Sequence, residues 1–232
     1  TDKIAAYFGS TESVSGGDEL PASFNFPLAG ALVKALQSGD ALAARSTLDD
    51  MLREYPAGIV DAPFLTNHDM PRLASMLDGL PNMGARLRQA PALLMTMPGA
   101  PFLYYGEEVG IVQGKGGGDE AKRTPMPWDN SAIAGFTTAT PWYDLAPGWP
   151  TRNVATQRAD ANSVWQHYRR WIAARQSSVA LREGTLELLQ PQRDNDALLA
   201  FVRKTKTETA LVLHNVGDHD IDIELAPFNG TP

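Results

Sequence analysis

Phe64-Leu65-Thr66-Asn67-His68-Asp69 decides how this chain is read. It closes a short apolar run over residues 60–67 that ends in polar side chains. A parallel strand covered on both faces is apolar along its length. Polar groups at its carboxyl end stand where ligands bind in such folds. Phe102-Leu103-Tyr104-Tyr105 repeats the pattern downstream, stopped by Gly106 and followed by Glu107 and Glu108. Upstream, Ser23-Phe24-Asn25-Phe26 alternates and halts at Pro27, as a short strand does.

Helical stretches separate these runs. Residues 28–37 are helix-compatible. Over residues 40–55, Asp40 is placed as N-cap, and Leu48, Met51, Leu52 and Tyr55 form an apolar stripe. Asn82 is expected to cap a helix over residues 83–97, with Pro91 kinking it. A stretch from Asn162 or Ser163 to Gln176 reads as an amphipathic helix whose apolar face carries Val164, Tyr168, Trp171 and Ile172. The alternation predicts an α/β fold with a parallel sheet over residues 1–184. After Gly184 the style changes to short strands at 186–189, 198–202, 210–213 and 221–225, an antiparallel pattern that makes residues 185–232 a second, all-β unit.

Composition narrows the function. Twenty Lys and Arg against 27 Asp and Glu give a formal charge of −7, which disfavours a nucleic-acid partner. The chain has no cysteine, so disulfides, thiolate nucleophiles and thiolate-bound metals are excluded. His68, His167, His214 and His219 lack the spacing of a helical zinc motif, and no metal site is expected here. No apolar run approaches a membrane span, so no membrane partner is expected. The sequence leaves the compartment open.

The segment from Phe64 to Asp69 resembles a signature of the α-amylase family of glycoside hydrolases, where it marks the end of the seventh strand of a (β/α)8 barrel. The resemblance implies that His68 and Asn67 contact the sugar at the cleavage point. It implies that Asp69 is the carboxylate that stabilises the distorted ring, and that Arg72, after Pro71, helps hold the same sugar. A strand-end Asx turn with a surface histidine is the plainer reading of an isolated His-Asp pair. Residues 98–110, Pro-Gly-Ala-Pro-Phe-Leu-Tyr-Tyr-Gly-Glu-Glu-Val-Gly, are similar to the family's eighth-strand segment. Glu107 and Glu108 are assigned there to a structural role such as pairing with an arginine.

Arg123-Thr124-Pro125-Met126-Pro127-Trp128-Asp129, with Ala134-Gly135-Phe136 and Pro141-Trp142, resembles the loop after that strand in the maltase, oligo-1,6-glucosidase and trehalulose-type branch. Phe136 and Trp142 are candidates for stacking on a sugar, or for packing within the loop. His167-Tyr168-Arg169-Arg170-Trp171-Ile172 resembles the last barrel helix, and the strands after residue 184 resemble the family's C-terminal β-sandwich.

The fold class expected is thus α/β: strands six to eight of a (β/α)8 barrel, followed by part of a sandwich. The implied substrate is an α-glucan or α-glucoside.

A retaining glycosidase also needs a nucleophilic and an acid/base carboxylate roughly 5–5.5 Å apart. The family's Gly-Phe-Arg-x-Asp nucleophile motif does not occur. Arg193-Asp194 follows no buried strand, and Glu12 and Glu19 lie in a Gly/Ser-rich stretch. The resemblance therefore places the start of this sequence just after the fifth strand, with nucleophile, acid/base and any calcium loops upstream. An inactive isolated chain that self-associates or needs an N-terminal half is the expectation. The competing readings are a non-catalytic amylase-like binding or transporter-associated domain, and one half of a split enzyme. The intact Asn67-His68-Asp69 argues against the first.

Overall fold

Asn25 shows where the first strand stops and why. Its side-chain oxygen accepts from Leu28 N at 2.9 Å, so it caps a helix. Its amide nitrogen donates to Asp61 Oδ1 at 3.0 Å, in the neighbouring strand. Phe26 and Pro27, expected to end the strand, are instead in the first helical turn, where a proline's missing N–H costs nothing. The computed structural model describes residues 2–10, 17–189 and 195–223. Glu12 and Arg193-Asp194 lie outside these residues, as does the end of the strand expected over 221–225; residues 221–223 are not in a strand.

In chain order, α1 (Asp2–Ala5) precedes β1 (Ala22–Phe24), α2 (Phe26–Ser38), α3 (Leu42–Glu54) and β2 (Val60–Ala62). Then come α4 (Leu73–Met76), α5 (Met83–Thr96), α6 (Val154–Ala159), α7 (Val164–Ser177) and α8 (Val179–Glu183). The chain closes with β3 (Thr185–Leu188), β4 (Leu198–Lys204) and β5 (Thr209–Asn215). β1 and β2 are parallel, with Ser23 opposite Asp61. The run expected over residues 60–67 pairs only at β2 and again at Phe64, which bridges Phe102 in parallel. Pro63 separates the two, and its missing N–H interrupts a ladder. The expected strand at residues 102–105 is accordingly reduced to that bridge.

The helices α2 and α3 each bury one face. α2 covers Leu28, Leu32 and Leu36, and α3 covers Ala44, Leu48 and Met51. Leu52, placed on that stripe by spacing, is half exposed. Asp40 accepts from Leu42 N at 2.7 Å, while the helix starts at Leu42 with Ala41 at the cap position. Asn82 precedes α5 with φ 57° and caps nothing with its side chain, while Pro91 lies inside α5 without ending it. Ser163 caps α7 through Gln166 N at 3.1 Å. β4 is the central strand of the antiparallel sheet and is buried from Leu198 to Arg203. Leu199, Phe201 and Val212 from that sheet join Leu32, Leu48 and Leu93 in one continuous core, so the apolar interior runs across residue 184.

Between α5 and α6 the chain is almost free of regular structure, and it is held by close backbone approach. Gly99 has φ 85°, and a side-chain carbon there would lie 2.0 Å from Asp61 O. Gly106 has φ 86°, and the same atom would lie 2.3 Å from Ile111 Cδ1. Only glycine fits either position. These two turns carry the segment 100–105 past the end of β2 and set it beside residues 64–69.

Candidate active site

The turn after β2 presents His68 and Asp69 to solvent, with side chains 64% and 63% exposed. Asn67 shapes it: its side-chain oxygen accepts from Asp69 N at 2.9 Å, and its backbone oxygen accepts from Met70 N at 3.2 Å. Asn67 thus acts here as the Asx-turn residue that aims its neighbours. His68 Nε2 stands 3.3 Å from Asp69 Oδ2.

Two cations from a later turn, Glu120–Lys122 and the residue after it, hold this pair in place. Arg123 Nη2 donates to Asp69 Oδ1 at 2.9 Å, and its Nε donates to the backbone oxygen of His68 at 3.1 Å. Lys122 Nζ donates to the backbone oxygen of Asp69 at 3.0 Å. Asp119 anchors both, at 3.1 Å from Lys122 and 2.9 Å from Arg123. Hydrogen bonding from Lys122 and the charge of Arg123 hold the Asp119 carboxyl below the usual carboxylate range. Sequence gave no sign of this latch, because 54 residues separate Arg123 from Asp69.

His68 and Asp69 sit on the rim of a cavity of about 260 Å³ lined by Phe24, Phe26, Phe64 and Phe102. The rings meet edge to face, Phe24 on Phe102 at 4.8 Å and Phe26 on Phe64 at 5.0 Å. Phe136 and Trp142 are not part of it. They line a second cavity together with Trp128 and Tyr105, and Arg123 borders that cavity as well.

Arg72, expected beside the sugar, lies in the interior with 1% of its surface exposed. Its guanidinium carbon is 4.3 Å from the Tyr104 ring centre and 4.5 Å from that of Tyr105, and Nη1 donates to Tyr105 O. Glu107 is buried in a structural role, where burial raises its carboxyl and the charge of Arg72 lowers it without a direct ion pair between them. It accepts from the hydroxyls of Thr66 and, at 3.3 Å, Tyr168. Both partners are distant in sequence and carry no pairing signal. Glu108 accepts from Gly106 N at 2.7 Å. Among the described residues no group of three or more His, Asp or Glu is placed to hold a metal. No helix among them is long and apolar enough to cross a membrane.

The family profile described as alpha amylase, catalytic domain, matches residues 11–184. The chain belongs to the α-amylase family. It is 30% identical over 221 residues to alpha-amylase 3 of Dictyoglomus thermophilum, covering 92% of this chain and 40% of that protein. It is 30% identical over 232 aligned positions to a probable alpha-glucosidase of Rhizobium meliloti, again covering 92% and 40%. The α-amylase of H. orenii superposes with a TM-score of 0.77 at 29% identity, over 93% of this chain and 41% of that one. This α-amylase-family chain therefore spans about 40% of the length of the curated relatives it matches.

Glu107 carries a pH prediction. Burial pushes its carboxyl up from 4.5 to about 7, against hydrogen bonds from Thr66 and Tyr168 that lower it. Because the folded value is raised, its contribution to stability is complete below pH 4.5 and is lost as pH rises through about 7. Glu107→Gln fixes the neutral form and keeps an oxygen acceptor. The fall in unfolding free energy between pH 4.5 and 8 should then shrink by about 3 kcal/mol, read from urea melts of both proteins. Asp61, raised to about 7, and His214, lowered to about 4, are common to both proteins and cancel in the difference.

Proposed function

We propose that this chain carries the sugar-gripping side of a retaining α-glycoside hydrolase site that acts on α-glucosidic bonds of maltose-like sugars or starch-derived oligosaccharides. One observation carries the reading: an exposed histidine–aspartate pair, latched by Arg123 and Lys122, at the mouth of an aromatic cavity. The carboxylate keeps lone pairs for two sugar hydroxyls beyond its bonds to His68 and Arg123. The amylase and α-glucosidase names of the relatives support the substrate class.

In the same reading β1, β2 and the Phe102 bridge are strands six to eight of a (β/α)8 barrel, and β3–β5 are part of its C-terminal sandwich. Calcium, where the family's loops bind it, is assigned to residues outside this chain. Phe24, Phe26, Phe102 and Val60 are about half exposed and form the face on which the rest of a barrel would close.

The 232 residues contain Asp69 but no residue matching the family's nucleophile motif. Covalent catalysis needs that group. The chain alone is therefore expected to give no turnover of an aryl α-glucoside above buffer. The gene product at its full encoded length is expected to cleave the α-anomer and not the β-anomer, with retention of configuration in the first-formed sugar. Turnover by the isolated chain refutes the assignment of the cleaving residues. A full-length product inert toward α-glucosides refutes the substrate class.

A further inference from the structure

Asp119 and Lys122 stand on a surface loop, yet what they hold lies in another part of the chain. Lys122 Nζ is 3.1 Å from Asp119 Oδ1 and donates to Asp69 O at 3.0 Å. Arg123 Nη2 is 2.9 Å from both Asp119 Oδ2 and Asp69 Oδ1, and its Nε donates to His68 O at 3.1 Å. Charge pairs three and four residues apart, such as Asp119 with Lys122 and Arg123, are ordinary surface contacts that add little by themselves. These differ because the other bonds of the two cations cross to residues 53 to 55 positions away. The base of the loop is also fixed. Gly114 N donates to Ala121 O at 2.7 Å, Ala121 is fully buried, and the Tyr104 hydroxyl donates to Lys122 O at 3.1 Å.

The turn they reach is set by its backbone and not by packing, because the His68 and Asp69 side chains are largely exposed. Asn67 takes up the N–H groups of Asp69 and Met70. The oxygens of His68 and Asp69 are taken up by Arg123 and Lys122. Asp119 bonds both cations at once, so it sets the direction in which they point. Misplacing a group that must meet a transition state by about 1 Å costs on the order of a hundredfold in rate, even when the altered residue lies outside the chemistry. An exposed turn held from outside by one charged loop is open to such a loss.

We propose that Asp119 and Lys122 are positioning residues for Asp69, acting through Arg123 and through the backbone of residues 68 and 69 without touching the sugar themselves. The proposal rests on the glycosidase reading above and adds to it a loop that sets the rate of the step Asp69 assists.

The test uses the protein at its full encoded length. Asp119→Asn removes the charge with little change of shape, and Lys122→Met removes the ammonium while keeping an aliphatic stem. Each is expected to lower kcat for an aryl α-glucoside about tenfold with KM nearly unchanged. The double variant should also lose about tenfold, because both changes open the same latch. Asp119→Glu, which keeps the carboxylate, should restore more than half of the activity. Hydrogen exchange at Asp69 and Met70 should accelerate in both single variants. Urea midpoints should stay at the wild-type value, since exposed ion pairs add little stability. Unchanged kcat or unchanged exchange in Asp119→Asn overturns the proposal and leaves the glycosidase reading in place. So does a double variant about a hundredfold down, or a loss of kcat that follows a fall in the urea midpoint. A wild-type protein inert toward α-glucosides overturns the reading, and the role of Asp119 and Lys122 with it.

Discussion

Replacing Asp69 with asparagine is expected to lower kcat/KM for an α-glucoside by about a thousandfold, equivalent to about 4 kcal/mol of transition-state stabilisation. The estimate follows from charge. Glycoside cleavage develops positive charge on the ring, and hydrogen bonds to ring hydroxyls tighten as the ring flattens. A carboxylate accepts two such bonds, each charge-assisted, and also opposes the developing cation. An asparagine keeps one acceptor and loses both the charge and the ion pair with Arg123 at 2.9 Å. Because the lost interaction belongs to the transition state, kcat should carry most of the loss, with KM changing little. The measurement is steady-state hydrolysis by the gene product at its full encoded length, beside His68→Asn, for which about a tenfold loss is expected because one neutral hydrogen bond is removed. A loss under tenfold for Asp69→Asn would deny the residue the clamp role.

The parts of this site that were legible in the sequence are those encoded in adjacent residues. Asn67, His68 and Asp69 form their turn from their own side chains, and the hexapeptide around them is enough to find it. The same holds for α7, where Tyr168 is buried and Val164, Trp171 and Ile172 of the expected apolar face pack against the core. What sequence did not show is pairing at a distance. Arg72 and Arg123 are both arginines near a family motif, and only the fold decides that the first is buried against two tyrosines and the second reaches Asp69. For Glu107 the sequence supports a structural role, of which pairing with an arginine is one form, without identifying its partners. The interior supplied two hydroxyls, which leave its pKa raised. Pro27 misled for another reason: the same ring that ends a strand is favoured in the first turn of a helix, and Asn25 decides between the two by capping. Strand lengths were overread where Pro63 cuts the parallel ladder, since apolar character does not reveal which N–H groups are present.

Arg175→Ala is expected to cost about 4 kcal/mol of unfolding free energy, the largest stability effect anticipated for a single side chain here. Arg175 leaves α7 and closes the carboxyl end of α5. Nη1 donates to Met95 O at 2.7 Å and Met97 O at 2.8 Å, and Nη2 donates to Gly99 O at 2.6 Å. Arg203 on β4 completes the cap, donating to Thr96 O at 2.8 Å and to Gly184 O at 2.8 and 3.2 Å. The last carbonyls of a helix have no partners within it. Met95 O and Met97 O are bonded in buried surroundings and Gly99 O in partly buried ones, so at the first two water cannot readily replace the arginine. Truncation strands three carbonyl oxygens at about 1–3 kcal/mol each, moderated by relaxation. Burial lowers both guanidiniums, that of Arg203 to about 10. Lysine at position 175 should recover less than half the loss, because a single ammonium cannot span the fork that reaches all three oxygens. The effect should also reach the turn that carries His68 and Asp69. Ala100 N donates to Asp61 O at 2.8 Å and Phe102 N to Pro63 O at 2.8 Å, and these two bonds set the Phe102 segment beside the strand that ends in His68 and Asp69. With Gly99 O released, hydrogen exchange at Ala100 and Phe102 should accelerate more than at Leu199 or Phe201 in the sheet core. A uniform acceleration would instead mean that Arg175 supports only global stability and does not position the His68–Asp69 turn.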